Sequence, residues 1–347
     1  MALRSVLDAD VAGKKVLVRV DCNVELDERR DVKEKYKVEA ARKTVEYLLS
    51  KGAKVALATH LGRPDGKRDD AFSVRHIADD VERILARSVR FVDECVGEKV
   101  SKALGELSAN ELLLLENVRF SSGDESNDAD FARALAEPFD LFVNDAFSVC
   151  HRDQASVTGV TKFLPSCAGI HLVEEVKQLT DVRERPARPA VAIVGGAKIE
   201  TKLPIIRMFE EKYDRVLVGG KVACEAQDES ISFSEKVMLP EDYAPERQDI
   251  GRNTLLKFRE EILKAKTVVW NGPLGKFENP EYAAGTRMTL ESIIESGAFS
   301  VIGGGETIIA LEEAGVFQKI SFVSTGGGAM LEFLSGDPLP GLLALEG

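Results

Sequence analysis

Short apolar runs alternate with amphipathic stretches along almost the whole chain. Residues 16–20, 55–59, 89–92, 112–115 and 141–143 read as strands, while 40–49, 76–85 and 129–135 repeat apolar positions at helical spacing. Strands alternating with helices predict parallel sheet covered by helices on both faces. Beyond Pro189 the strands change character. Four runs rich in Val and Ile stop in glycines: AVAIVGG (190–196), RVLVGG (215–220), FSVIGGG (299–305) and ISFVSTGGG (320–328). A strand that ends in Gly-Gly at the start of a helix is expected to leave backbone N–H groups bare where anions bind. Four such junctions side by side would line the carboxyl edge of a parallel sheet with glycine, as a nucleotide phosphate chain requires.

Between the two series lie LVEEVKQLTD (172–181), which reads as a helix, and RERPARP (183–189), in which each Pro removes a donor and biases its predecessor away from helix. The expected architecture is therefore α/β: two Rossmann-like domains, each a parallel sheet flanked by helices, joined by a hinge helix. The boundaries read as an N-terminal domain over 1–171, a connecting helix and hinge over 172–189, a C-terminal domain over 190–335, and a segment 336–347 returning to the N-terminal domain.

Composition narrows the function classes. A chain of 347 residues, 44% hydrophobic and 30% charged, exceeds the size at which single cores stop growing. Its net charge of −12 argues against a nucleic-acid partner, which would want a basic face. Cys22, Cys95, Cys150, Cys167 and Cys224 are far apart with no C-x-x-C pair, so reduced thiols in a cytoplasmic setting are expected rather than disulfides or a zinc knuckle. The N-terminus has no continuous apolar core and no stretch nears the length of a membrane span.

Polar residues gather after strand ends in the first half: Asp21 and Asn23, His60 and Arg63, Arg119, Asn144 and Asp145, His151 and Arg152. Ligand sites of open parallel sheets lie there. Cations brought together would suit a small phosphorylated carboxylate, since arginine offers forked donors to both groups.

Seven segments in order, VRVDCNVELD (18–27), THLGRPDGK (59–67), LLLENVRF (113–120), VNDAFSVCHR (143–152), VGGAKIETK (194–202), VVWNGPLGKFE (268–278) and VSTGGGAMLEFL (323–334), resemble the successive signature segments of the phosphoglycerate kinases. The resemblance implies a cytoplasmic, glycolytic and gluconeogenic transferase. It would move a phosphoryl group reversibly from 1,3-bisphosphoglycerate to MgADP, giving 3-phosphoglycerate and MgATP. By matching position, Asp21 and Asn23 would bind the hydroxy-carboxylate part of the substrate, and His60, Arg63, Arg119 and Arg152 its phosphate. Lys198 and Lys202 would contact nucleotide phosphates and the migrating group, with Gly195, Gly196 and Gly219 allowing close approach. Asn271 and Gly272 would lie near the phosphate chain, Glu278 would accept from the ribose hydroxyls, and Gly304, Gly305, Glu306 and Thr307 would complete the nucleotide site. Gly326, Gly327 and Gly328 would present N–H groups at a helix start to the transferring phosphoryl. Mg2+ would arrive with ATP or ADP, touching Glu306 through nucleotide or water. The family expectation is a monomer that takes small-molecule substrates, with neither nucleic acid nor membrane as partner.

The residue types fit this chemistry by themselves. In-line phosphoryl transfer asks for positioning and charge stabilisation, and a carboxylate nucleophile needs no general base. Two domains that each hold one substrate must close to react, so a hinge is required.

Departures from the family pattern are specific. The arginine opening an R-I-x-A-A segment is Lys37 here, which keeps the charge without the planar fork; Arg42 is the fallback cation. Thr201 stands where the family has aspartate, Glu306 where G-G-G-D-T has aspartate, Lys221 where a third glycine is expected, and Cys22 where phenylalanine is usual. Between Gly220 and Leu239-Pro240 about a third of the family's length remains, which removes the covering segment over the adenine, and the stretch before 249–251 is trimmed too. The alternative reading is a kinase-like protein that binds phosphorylated carboxylates or nucleotide in a regulatory role without turnover. The dinucleotide fingerprint G-x-G-x-x-G and the Walker motif G-x-x-x-x-G-K-[ST] are both absent.

Overall fold

The computed structural model describes residues 3–26 and 32–346; Asp27, the last residue of the first signature segment, lies outside them. The chain forms two compact units, one running to Val176 and regaining the chain at Pro338, the other covering Lys177–Asp337. The division falls inside one helix, Ile170–Glu184, longer at both ends than the sequence pattern suggests.

The first unit is built on six parallel strands: β1 (Lys15–Arg19), β2 (Lys54–Ala58), β3 (Val89–Val92), β4 (Leu112–Leu115), β5 (Leu141–Asn144) and β6 (Ser166–Ala168), in the order β3-β4-β2-β1-β5-β6. Alternate residues divide between two cores. Val16, Val18, Val55, Leu57, Leu112, Leu114, Leu141 and Val143 pack on one face, and Leu17, Ala56, Leu113, Leu115 and Phe142 on the other. Burial on both faces is why these strands read as unbroken apolar runs, and each buried Leu or Val contributes about 1.5–3 kcal/mol. The helix expected over 40–49 is interrupted: Lys35–Ala40 and Arg42–Ser50 are separate helices meeting at Ala41. The C-terminal segment pairs with this unit through an antiparallel bridge of Leu3 to Glu346 and the Gly341 N–H donating to the Cys150 carbonyl at 2.8 Å.

The second unit repeats the plan with β7 (Ala190–Val194), β8 (Arg215–Val218), β9 (Val237–Met238), β10 (Thr267–Asn271), β11 (Phe299–Gly303) and β12 (Phe322–Ser324), all parallel, in the order β12-β11-β10-β7-β8-β9. The four glycine-ended strands are not contiguous as expected, because β10, which ends in Asn271-Gly272-Pro273, lies between β11 and β7. Strand order reverses beside β1 in the first sheet and between β7 and β10 in the second, the positions where open parallel sheets bind ligands. Among the described residues, no helix is long and apolar enough to cross a membrane.

Candidate functional site

In the first unit the loops after β1, β2 and β4 converge on the backbone of Gly62. Its N–H donates to Asn23 Oδ1 at 2.8 Å, and its carbonyl accepts from Arg119 Nη1 at 2.9 Å. Asn23 is thereby oriented with its oxygen engaged and its amide donors turned elsewhere, while its own N–H donates to Asp21 Oδ1 at 2.9 Å. Lys37 joins them: Nζ donates to the Asn23 carbonyl at 3.0 Å and pairs with Glu34 at 2.7 Å, with the lysine side chain 13% exposed. It is a held, mostly buried cation. Arg42, the fallback, faces away, bonded to Glu39 and to the carbonyls of Ile84 and Leu85 at the end of another helix.

Arg119 is 3% exposed, and its Nε makes no hydrogen bond; among the described residues the carboxylate paired with it is Glu125, 3.6 Å from that Nε. Burial, and then the neighbouring charges of Arg19 and Arg152, push its guanidinium down to about 10. The cluster is thus short of negative charge. Arg152 is half-buried and Arg63 is exposed.

Arg19 was not among the residues singled out, since a charged residue in the run VLVRV looks like one solvated position of a strand. It is fully buried, donating to Ser156 Oγ at 3.3 Å and to the Val20 carbonyl at 2.7 Å, with Nη2 3.0 Å from His60 Nδ1. Arginine has only donors, so Nδ1 must accept and the neutral ring carries its proton on Nε2. Burial, then the charges of Arg19, Arg119, Arg152 and Lys37, hold His60 well below the usual histidine range. Nitrogen-15 NMR of the imidazole is expected to show the Nε2–H tautomer with no titration between about pH 6 and 8. A proton on Nδ1, or a midpoint near the ordinary value, would contradict this geometry.

In the second unit the glycines do two different jobs. At the ends of β7 and β8 their N–H groups are engaged rather than bare: Gly195 donates to the Asn271 carbonyl at 2.9 Å, Gly196 to Pro273 at 2.8 Å, Gly219 to Val194 at 2.9 Å and Gly220 to Leu274 at 3.0 Å. These glycines permit close packing of loops. A Cβ on Gly195 would collide with the carbonyls of Gly272 and Pro273, and Gly272, at φ +90°, faces Gly195 equally closely. Gly327 and Gly328, by contrast, begin the helix Gly327–Ser335 with open space around them. The expectation that glycine-ended strands leave bare N–H groups is corrected for the junctions after β7 and β8. Thr307 also works as a brace, its hydroxyl accepting the Gly272 N–H at 2.9 Å.

Between these loops lies a cavity of about 410 Å³, lined by Gly196, Ala197, Gly220, Lys221, Cys224, residues 246–248, Pro273, Gly275, Lys276, Glu278 and Glu306. Lys221 does not fill it; its side chain is 72% exposed and lies 3.8 Å from Glu225. Lys202 is mostly buried, with Nζ donating to Asn271 Oδ1 at 2.6 Å, and burial lowers it to about 8 against the opposing pull of Glu306. Lys198 is exposed and sits at φ 69° before the helix Ile199–Lys212, where Thr201 Oγ1 donates to its carbonyl at 2.8 Å. Glu278 and Glu306 are exposed at the rim. Sequence reasoning missed residues 246–248, which carry neither a motif nor a periodic signal.

One α/β unit with buried, anion-starved arginines and another with glycine loops and lysines around a cavity define a phosphotransferase. The chain belongs to the phosphoglycerate kinase family, whose model matches residues 6–234 and 224–337. It is 40% identical over 391 residues to the phosphoglycerate kinase of Desulfosudis oleivorans, covering 99% of each chain, and 40% identical over 391 residues to that of Desulforudis audaxviator, covering 100% of each. The solved phosphoglycerate kinase of Pyrococcus horikoshii superposes with a TM-score of 0.88 at 29% identity, over 99% of this chain and 98% of that one. The alignments exceed the length of the chain, and the two family matches meet at 224–234, where the expected loss lies.

Proposed function

We propose that this protein is a working phosphoglycerate kinase that passes a phosphoryl group reversibly between 1,3-bisphosphoglycerate and MgADP. The observation that carries the reading is Arg119, a guanidinium buried among other cations whose Nε makes no hydrogen bond and lies in a long ion pair, 3.6 Å, with Glu125, because a phosphate is the group that would complete it. Asn23 would offer its amide donors, and neutral His60 its Nε2–H, to the same molecule. Lys37 would move charge toward the transferring group from its place on the Asn23 carbonyl.

On the second unit, the cavity would take the nucleotide, with Glu278 at the ribose and Lys198, Lys202 and the Gly327–Gly328 turn at the phosphates. Among the described residues no cluster of His, Cys, Asp or Glu could cage a metal ion. That suits Mg2+, which is held by one or two carboxylates plus substrate phosphates; Glu306 at the rim fits that role, and Mg2+ would supply charge neutralisation there. The helix Ile170–Glu184 would serve as the connector in hinge motion. Five unpaired cysteines support a cytoplasmic location.

A coupled assay with 3-phosphoglycerate and MgATP tests the reading. Turnover is expected; binding of 3-phosphoglycerate without turnover would replace it with the regulatory alternative. A second expectation concerns pH. An anion binds the charged form of Lys202 and raises its pKa, so MgADP affinity is greatest below about 8 and falls as pH rises through that value. Lys202→Arg should flatten the profile, and an unchanged fall in that variant would assign the titration to another group.

A further inference from the structure

The wall of the nucleotide cavity is built from a turn with no glycine in it. Glu246 and Arg247 both adopt left-handed backbone, at φ 57° and 56°, a conformation costly for residues with a Cβ. Something outside the turn must hold it. The Arg247 side chain reaches back to the helix Gly220–Asp228: Nη1 donates to Asp228 at 2.8 Å, Nη2 to Gln227 Oε1 at 3.1 Å and to the Cys224 carbonyl at 3.3 Å, and the guanidinium lies 5.0 Å from the centre of the Tyr243 ring. The Tyr243 hydroxyl donates to Gln227 at 2.7 Å, and Gln227 Nε2 to the Pro240 carbonyl at 2.9 Å. On the other side the Lys276 N–H donates to the Gln248 carbonyl at 2.8 Å. The turn is therefore zipped to the C-terminal half of that helix, the end from which the shortened segment continues.

We infer that Arg247 is a positioning residue for the nucleotide: it clamps residues 243–248 onto the helix Gly220–Asp228, so that this turn forms the base-side wall in place of the lost covering segment. The inference rests on the reading of the cavity as a nucleotide site. Without the clamp the strained turn relaxes, and Glu246 and Gln248 leave the wall.

Titration of the full-length protein with MgADP by calorimetry, together with steady-state KM values, tests this. Arg247→Ala should weaken MgADP binding about tenfold, the scale of one lost charge-assisted hydrogen bond, with the KM for 3-phosphoglycerate unchanged. Arg247→Lys, which keeps only the Asp228 pair, should fall between, and Asp228→Asn provides the same comparison from the other partner if Arg247→Ala does not fold. Arg247→Gly separates clamp from backbone: it accepts φ 56° without strain, yet should lose affinity as Ala does. Full affinity in Arg247→Gly, or equal affinity in Arg247→Ala, overturns the clamp alone. A wild-type protein that binds no MgADP overturns the nucleotide reading, and the clamp with it.

Discussion

Lys198→Gly is expected to leave the protein as stable as the wild type while lowering kcat by about 100- to 1000-fold, the usual result of removing one donor from a site of developing charge. The two effects separate because Lys198 occupies φ 69°, where a side chain is unwelcome. Relief of left-handed strain is worth about 1 kcal/mol, and the extra freedom of glycine in the unfolded chain takes back about 0.4–1 kcal/mol, so the net change is near zero. Lys198→Ala keeps the strain and also lacks the amine. If the amine is what matters, both variants lose the same rate; if the backbone shape alone matters, Lys198→Ala, which keeps the Cβ and its strain, retains activity. Comparison of kcat for the pair, with thermal unfolding as control, decides between them.

Much of the fold is legible in the chain because sheets buried on both faces leave unbroken apolar runs. Leu112–Leu115 is four leucines in a row, and both of its faces meet core. The strands that escape the pattern are those whose existence depends on neighbours. Ser166–Ala168 and Val237–Met238 are three and two residues long, too short for any period, and form because β5 and β8 present open edges to them. The break at Ala41 is equally invisible, since both helices keep apolar residues toward the same core.

The site divides along a similar line. Asp21, Asn23, His60 and Arg119 can be found because parallel topology sends strand ends to one edge, so polar residues there converge whatever the details. Arg19 cannot be found that way. Its role comes from its burial and its reach to His60 Nδ1 just beyond the neighbouring strand β2, neither of which leaves a pattern. The glycine junctions mislead for a related reason: a glycine needed for loop packing, as at Gly195, is indistinguishable in sequence from one with open space around it, as at Gly328.

Arg119→Met should raise the Kd for 3-phosphoglycerate about 100-fold or more, as two charge-assisted hydrogen bonds at about 1.5–3 kcal/mol each would require, and should leave MgADP binding unchanged. Removal of this cation should not unfold the first unit. In the ligand-free protein the guanidinium is buried beside Arg19 and Arg152, which holds its pKa down at about 10 and means that folding works against its charge at neutral pH. What is lost is the bond to the Gly62 carbonyl at 2.9 Å and the longer pairing with Glu125 at 3.6 Å, and what is gained is relief of like-charge crowding. Thermal unfolding with and without inorganic phosphate makes the contrast visible. An anion that binds only the folded state raises the melting temperature by mass action, so phosphate should stabilise the wild type and do little for Arg119→Met. A variant that melts far below the wild type and still responds to phosphate would mean that Arg119 holds the loops after β2 and β4 together and that another cation receives the substrate.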